Sequence, residues 1–251
     1  LSIISKKPML GPIIQDANLI TFSFLEEKLD NPVKRPYFPS TGIIADMMPH
    51  VLALLKKTSD MKFDNVECRQ VKSFISPEYK KQYKDKKLHS PPKETYAEIE
   101  LSISEQGRPP KTVIIRIGKD ISNQKTVAFI DNTRDKLLMK LPHPDQPVGE
   151  VLLGDLIIKT DNISSEKWDK AWYNIIRGLM IGTSKEFLTI EDAEKIVKII
   201  EVIKKKDTRH KIKKILPNNA PNLLNFDWDN NTWKSKADYA VIFNLNGVLL
   251  P

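Results

Sequence analysis

Asp46 and His50 are the two residues of this chain whose types and spacing best suit chemistry. They stand four apart in an otherwise apolar stretch, RPYFPSTGIIADMMPHVLALLKK, at 35–57. Residues four apart on an α-helix share a face, so one carboxylate and one imidazole would project side by side. A neutral imidazole accepts a proton well near pH 7, and a neighbouring carboxylate can orient it or contact the substrate. Oxidation of a hydroxyl by hydride transfer needs such a base, because the hydroxyl proton must leave as hydride departs from the carbon. The plainer reading stands beside it: Asp46 as a helix N-terminal carboxylate favoured by the dipole, and His50 as an ordinary core histidine.

The elements that would position this pair can be read from periodicity. Short β-rich runs fall at 18–26, 66–75, 94–103, 112–118, 125–130 and 136–141, several with period two and most joined by turns. Helices are predicted at 43–58, 166–181 and 190–206. Consecutive strands with few intervening helices imply an α+β fold with a predominantly antiparallel mixed sheet, helices on one face and no Rossmann domain. The last helix would place Ile190, Ala193, Ile196, Val197, Ile200 and Ile203 on one face, with Thr189 as N-cap and Asp192 three residues on. Residues 1–215 read as one sheet-plus-helix domain and 216–238, rich in Pro and Asn, as a linker. Residues 239–251 read as a strand that either completes the fold or opens another domain.

Composition narrows the field. The chain has 251 residues, enough for a full-sized core, and is 40% hydrophobic and 29% charged, an ordinary globular balance. Its single cysteine, Cys68, excludes an intramolecular disulfide and fits a reducing, cytoplasmic setting. No apolar run approaches the roughly 20 residues that span a bilayer. The start, LSIISKKPMLGP, lacks the order of a signal peptide, and its first Leu reads as the edge of something longer. A net charge of +8 invites a nucleic-acid partner. The lysines, however, gather at 80–89 and 204–214 without interleaved aromatics, which favours a solvated basic surface or attraction of small anions over nucleic acid.

With these residues in view, 35–57 resembles the segment of glucose-6-phosphate dehydrogenases in which an Arg and aromatic pair, a small-residue turn and an Asp-Met precede the basic His. Glu94-Thr95-Tyr96-Ala97 followed by Arg116-Ile117-Gly118-Lys119 resembles that family's ETxxA strand and R-x-G-K strand end. The stretch 173–203, with Gly182, Phe187 and Glu191-Asp192, resembles its final two helices. In those enzymes the His follows the Asp by five residues. A spacing of four is instead that of the D-x-x-x-H signature in the related Gfo/Idh/MocA sugar oxidoreductases, although Met48 replaces the usual Gly and Pro49 precedes the His. Pro49 is tolerable only near a helix start or a kink. The subgroup stays open.

The resemblance implies His50 as general base, Asp46 as its partner, and Arg116 and Lys119 binding a sugar phosphate; the alternative for the last two is a solvated strand end. It also implies NADP or NAD as cofactor and a homodimer paired through the sheet face. A dinucleotide site needs a Gly-rich turn opening a helix, and no G-x-G-x-x-G occurs in the chain. The family's RIDHYLGK-like segment and EKP motif are absent too, with Lys6-Lys7-Pro8 no secure substitute, so the cofactor would require a domain outside these residues. At the end of the chain, 241–249 resembles the first motif of haloacid-dehalogenase-type phosphatases, with Asn244 and Asn246 where that motif has its nucleophilic and acidic Asp beside Mg²⁺. Such a site would be inactive, and a simple strand and turn explains the match equally. No other metal site is read. The function expected is the substrate and dimerisation part of an NAD(P)-dependent sugar oxidoreductase. A non-catalytic relative of that domain is the alternative, and a phosphatase-like fusion the weaker one.

Overall fold

The computed structural model describes residues 7–26, 38–59, 61–75, 93–119, 125–131, 136–140, 150–153, 156–159, 177, 180, 188–207, 226–227 and 232–233. Among the described residues, helices α1 (Lys7–Asp16), α2 (Phe38–Ser59) and α3 (Ile190–Lys206) accompany a sheet. Its strands are β1 (Leu19–Glu26), β2 (Asn65–Phe74), β3 (Tyr96–Ser104), β4 (Lys111–Lys119), β5 (Lys125–Asp131), β6 (Lys136–Lys140), β7 (Glu150–Leu153) and β8 (Leu156–Lys159). They run in the order β2-β3-β4-β1-β5-β6-β7-β8, and a separate two-stranded pair joins β9 (Phe226–Asp227) to β10 (Thr232–Trp233). Among the described strands only β1 and β4 pair in parallel; the other neighbours in the large sheet are antiparallel. The expected α+β fold with a predominantly antiparallel mixed sheet is what forms, and no Rossmann unit occurs among the described residues.

Period two divides the sheet into its faces. Ile99, Leu101 and Ile103 of β3, Val113, Ile115 and Ile117 of β4, and Ile20 and Phe22 of β1 are buried in one core with Ile43, Met48, Leu52 and Leu55 of α2. Helix α3 closes the layer against α2 and β2. It buries Ile196, Ile199, Ile200 and Ile203, each worth about 1.5–3 kcal/mol of apolar burial. The predicted stripe was rotated: Ile199 belongs to it, whereas Ile190 and Val197 are 81% and 54% exposed. A face at i, i+3, i+4 and i+7 is narrower than the apolar set the sequence offers. Thr189 caps the helix as expected, its hydroxyl accepting from the Asp192 amide at 3.0 Å.

Helix α1 was not foreseen, because Pro8, Gly11 and Pro12 within ten residues argue against a helix. Tertiary contact overrides them: Ile14 is fully buried, and the Gln15 amide group donates to the Ser59 carbonyl at 2.8 Å. The Lys111 ammonium donates to the carbonyls of Gln15 and Ala17, placing a cation at the negative end of α1. Strands β7 and β8 were missed as well, each being only four residues long.

Among the described residues no helix is long and apolar enough to cross a membrane. Arg177 and Met180 are helical within the predicted 166–181 element, the rest of which lies outside the described residues. So do the predicted strand at 239–243, Asn244 and Asn246, most of the 216–238 linker, and the Lys6-Lys7-Pro8 question apart from the helical backbone of Lys7 and Pro8.

Candidate functional site

Helix α2 is two helical pieces joined at Gly42, whose φ of 75° and ψ of 170° lie outside helical space. A positive φ is open to glycine at little cost, and here space demands glycine as well. A Cβ on Gly42 would lie 2.4 Å from Glu94 Oε1. Regular helix resumes at Ile43, the start that periodicity predicted. Its first amides are held by one residue: Ile43 N–H donates to the Glu94 carbonyl at 2.9 Å and Ile44 N–H to Glu94 Oε1 at 3.2 Å. The Glu94 side chain therefore serves as N-terminal cap from a distant part of the chain. Burial, aided by the nearby Asp207 carboxylate, pushes its carboxyl above the ordinary range against the pull of the Ile44 hydrogen bond.

Asp46 follows in the first turn after Gly42, and its Oδ2 accepts from the Lys119 ammonium at 2.8 Å. Lys119 ends β4 on the helix-covered face. Its Nζ also lies 5.2 Å from the centre of the Phe38 ring, within cation–π range. The Lys119 side chain is 3% exposed and that of Asp46 17%. At an effective dielectric constant of 20 the gross attraction at this distance is about 6 kcal/mol, most of it offset by several kcal/mol of desolvation. The pair thus contributes more to placement than to stability. It sits where the carboxyl ends of the parallel strands β1 and β4 meet the positive end of α2, and the register sets Glu26 opposite Lys119.

His50 lies one turn beyond Asp46 and is exposed, which removes the core-histidine reading. Pro49 keeps helical backbone angles in the second turn, where it costs one amide donor.

Arg116 and Lys119 are not brought together. Three residues apart on a strand they point to opposite faces, so they do not form one phosphate clamp. Nor is Arg116 a solvated strand end, for it is wholly buried on the face away from the described helices. Its Nε donates to Glu98 Oε2 at 2.8 Å, Glu98 Oε1 accepts from Lys72 at 3.1 Å, and both Arg116 Nη groups are buried without a partner among the described residues. Lys72, Glu98 and Arg116 are direct cross-strand neighbours. Burial raises the Glu98 carboxyl, but the Arg116 guanidinium and Lys72 outweigh it and hold the group below its ordinary value.

Sequence reasoning missed Phe38, Gly42 and Glu94 as parts of the site. A glycine immediately before a helical apolar run was the available signal for Gly42. Glu94 stood in the ETxxA-like run, but nothing local gave it a role at the helix, since its partners there lie fifty residues away in sequence. Among the described residues no cluster of three or more His, Cys, Asp or Glu could hold a metal ion.

No protein-family model and no curated protein matches the sequence. Solved structures do match the fold. Glucose-6-phosphate 1-dehydrogenase from Mycobacterium avium superposes with a TM-score of 0.59 at 13% identity, over 83% of this chain and 57% of that one. A UDP-N-acetylglucosamine 3-dehydrogenase from Acidithiobacillus ferrooxidans gives 0.53 at 8% identity, over 81% and 59%. A 3-ketoreductase from Actinomadura kijaniata, determined with NADP and TDP-benzene, gives 0.52 at 11% identity, over 81% and 57%. At such identities the likeness is one of fold, and the chain spans little more than half the length of these neighbours.

Proposed function

We propose that this chain is the substrate-binding part of an NAD(P)-dependent oxidoreductase acting on a sugar or sugar phosphate. The observation that carries the reading is the Asp46–Lys119 pair, 2.8 Å apart where the parallel strands end against α2, with exposed His50 one turn further on. In this reading Lys119 donates to a substrate oxygen, Asp46 accepts from a hydroxyl, and His50 takes the proton of the hydroxyl being oxidised. Fold neighbours that are a glucose-6-phosphate dehydrogenase, a UDP-N-acetylglucosamine dehydrogenase and an NADP-bound ketoreductase support the substrate and cofactor class. The chain's own residues do not fit a dinucleotide: no G-x-G-x-x-G is present, and none of the described helices opens from a Gly-rich strand-to-helix turn of that kind. When bound by another domain, NADP or NAD would supply the hydride acceptor. Arg116 is left out of the substrate site, because it is buried on the other face of the sheet.

The reading extends to a cytoplasmic homodimer paired through the sheet, supported by the breadth of eight strands. Sedimentation at micromolar concentration tests it, and a monomer sinks it. A non-catalytic binding or dimerisation module is the second reading, favoured by the missing fingerprint. The two part on one experiment with the intact protein and its dinucleotide-binding partner domain: reduction of NADP⁺ or NAD⁺ by glucose 6-phosphate or a nucleotide sugar. Turnover that falls about 10²-fold in His50→Asn supports the enzyme. Full activity in that variant removes His50 as base, and absence of turnover with every sugar substrate favours the module.

A further inference from the structure

We infer that Glu94 is the positioning residue of this site, fixing where α2 starts and thereby where Asp46 meets Lys119. The argument is one of connectivity. Glu94 holds the start of the regular helix through two bonds, its carbonyl to Ile43 N–H at 2.9 Å and its Oε1 to Ile44 N–H at 3.2 Å. The very next residue, Thr95, holds the end of β4, its carbonyl accepting from Lys119 N–H at 2.8 Å. Thr95 N–H in turn donates to the Phe74 carbonyl at 2.9 Å, which ties the pair of residues to β2. Two elements from distant parts of the chain are therefore referenced to adjacent residues, and the offset between them is set by one peptide unit.

Asp46 is two residues beyond Ile44, within the same turn, so an error in the start of the helix passes directly to its carboxylate. Gly42 completes the device. With no Cβ it lets the Glu94 carboxylate approach the backbone closely, and any side chain there would overlap Oε1. Burial holds the carboxylate in place, since Glu94 is 8% exposed, and Lys93 and Asp207 are the charged groups that act on it. An ordinary cap would need only an oxygen next to the helix in sequence, such as the Thr189 hydroxyl that caps α3. A remote residue gains something a local cap cannot supply, which is a fixed distance from the helix to a strand end.

The importance of this offset to catalysis rests on the proposed function; the offset itself does not, and the test keeps them apart. In the full chain, the coupling between Asp46→Asn and Lys119→Met is measured by a double-mutant cycle on the urea-unfolding equilibrium, in the parent, in Glu94→Gln and in Glu94→Ala. Coupling of about tenfold in the parent is expected to survive in Glu94→Gln, which keeps the oxygen that accepts from Ile44 N–H, and to fall below about twofold in Glu94→Ala. If Glu94→Ala does not fold, Glu94→Asp, which withdraws the carboxylate by one methylene, takes its place with the same expectation. Coupling unchanged in Glu94→Ala, or in Glu94→Asp where that variant is used, overturns the inference, as does its loss in Glu94→Gln. Glucose 6-phosphate, followed by calorimetry on the same variants, reports on the function separately. Failure of the parent to bind it counts against the sugar-phosphate reading and leaves the cycle to decide the role of Glu94.

Discussion

Replacing Glu98 by Gln should cost this protein more stability than removing either of the cations it holds. Glu98 stands between Lys72 at 3.1 Å and Arg116 at 2.8 Å, with its side chain 14% exposed. Arg116 is wholly buried, and among the described residues it has no other partner for its charge, since both Nη groups are unpaired there. Without the Glu98 charge a buried guanidinium is left uncompensated, a loss of about 3–5 kcal/mol. The neutral amide of Gln still accepts one hydrogen bond, which returns about 1 kcal/mol, so the net expectation is about 3 kcal/mol. Arg116→Met removes the unsatisfied guanidinium together with the charge and leaves Glu98 with Lys72, for a cost of about 1 kcal/mol. Lys72 is a third exposed, and Lys72→Met should cost less than about 1 kcal/mol. The double variant Glu98→Gln/Arg116→Met should recover most of the loss of Glu98→Gln alone. Urea unfolding at pH 7 with a shared m-value measures all four. A cost for Glu98→Gln under about 1 kcal/mol, or one smaller than that of Arg116→Met, refutes the reasoning.

Gly42→Ala should destabilise by about 2 kcal/mol or more, because it combines a positive φ with overlap at the Glu94 carboxylate, and thermal melting reads it directly. Ile200→Ala, in the buried stripe of α3, should cost about 2–5 kcal/mol by the same measurement, whereas Val197→Ala should fall within about 0.5 kcal/mol. Two carboxylates give opposite pH dependences. The Glu98 contribution is present above its ordinary value of 4.5 and lost as pH falls through its lowered folded pKa. That of Glu94 is present below 4.5 and lost as pH rises through its raised one. Acid titration of Glu98→Gln should therefore show a flatter loss of stability at low pH, and Glu94→Gln a flatter loss on the rising side. Cys68 is buried with its thiol pushed up to about 11 by burial, so alkylation at pH 8 should be slow and should accelerate only with unfolding.

Much of the sheet was legible because alternation is a local signal. The runs at 94–103 and 112–118 lie within two residues of β3 and β4, and 190–206 coincides with α3. The parallel pairing of β1 with β4 was not legible, since nothing in either strand names its neighbour. The same limit applied to the site. Asp46 and His50 could be found by spacing within one helix, and Lys119 through a strand-end motif. Whether Arg116 shares a ligand with Lys119 depends on which face each residue takes, and period two answers that only once the strand is known to be regular to its end. Glu94 depended on a contact across fifty residues of chain, and α1 on packing strong enough to override two prolines and a glycine.

The parallel pair of strands also sets the order of assembly. β2, β3 and β4 are joined in sequence as antiparallel neighbours, and so are β5 to β8, but β1 must be inserted between β4 and β5. Its partners are as remote as Thr112 and Asp131 for Leu19, so loop-closure entropy is lost before any of these bonds forms. Until then the inner edges of both groups stand unpaired and open to wrong partners. Refolding should accordingly be slow for a chain of this size. Because Lys119 ends the strand that β1 must join, the ion pair with Asp46 would be among the last native contacts to close, a reporter of completed folding.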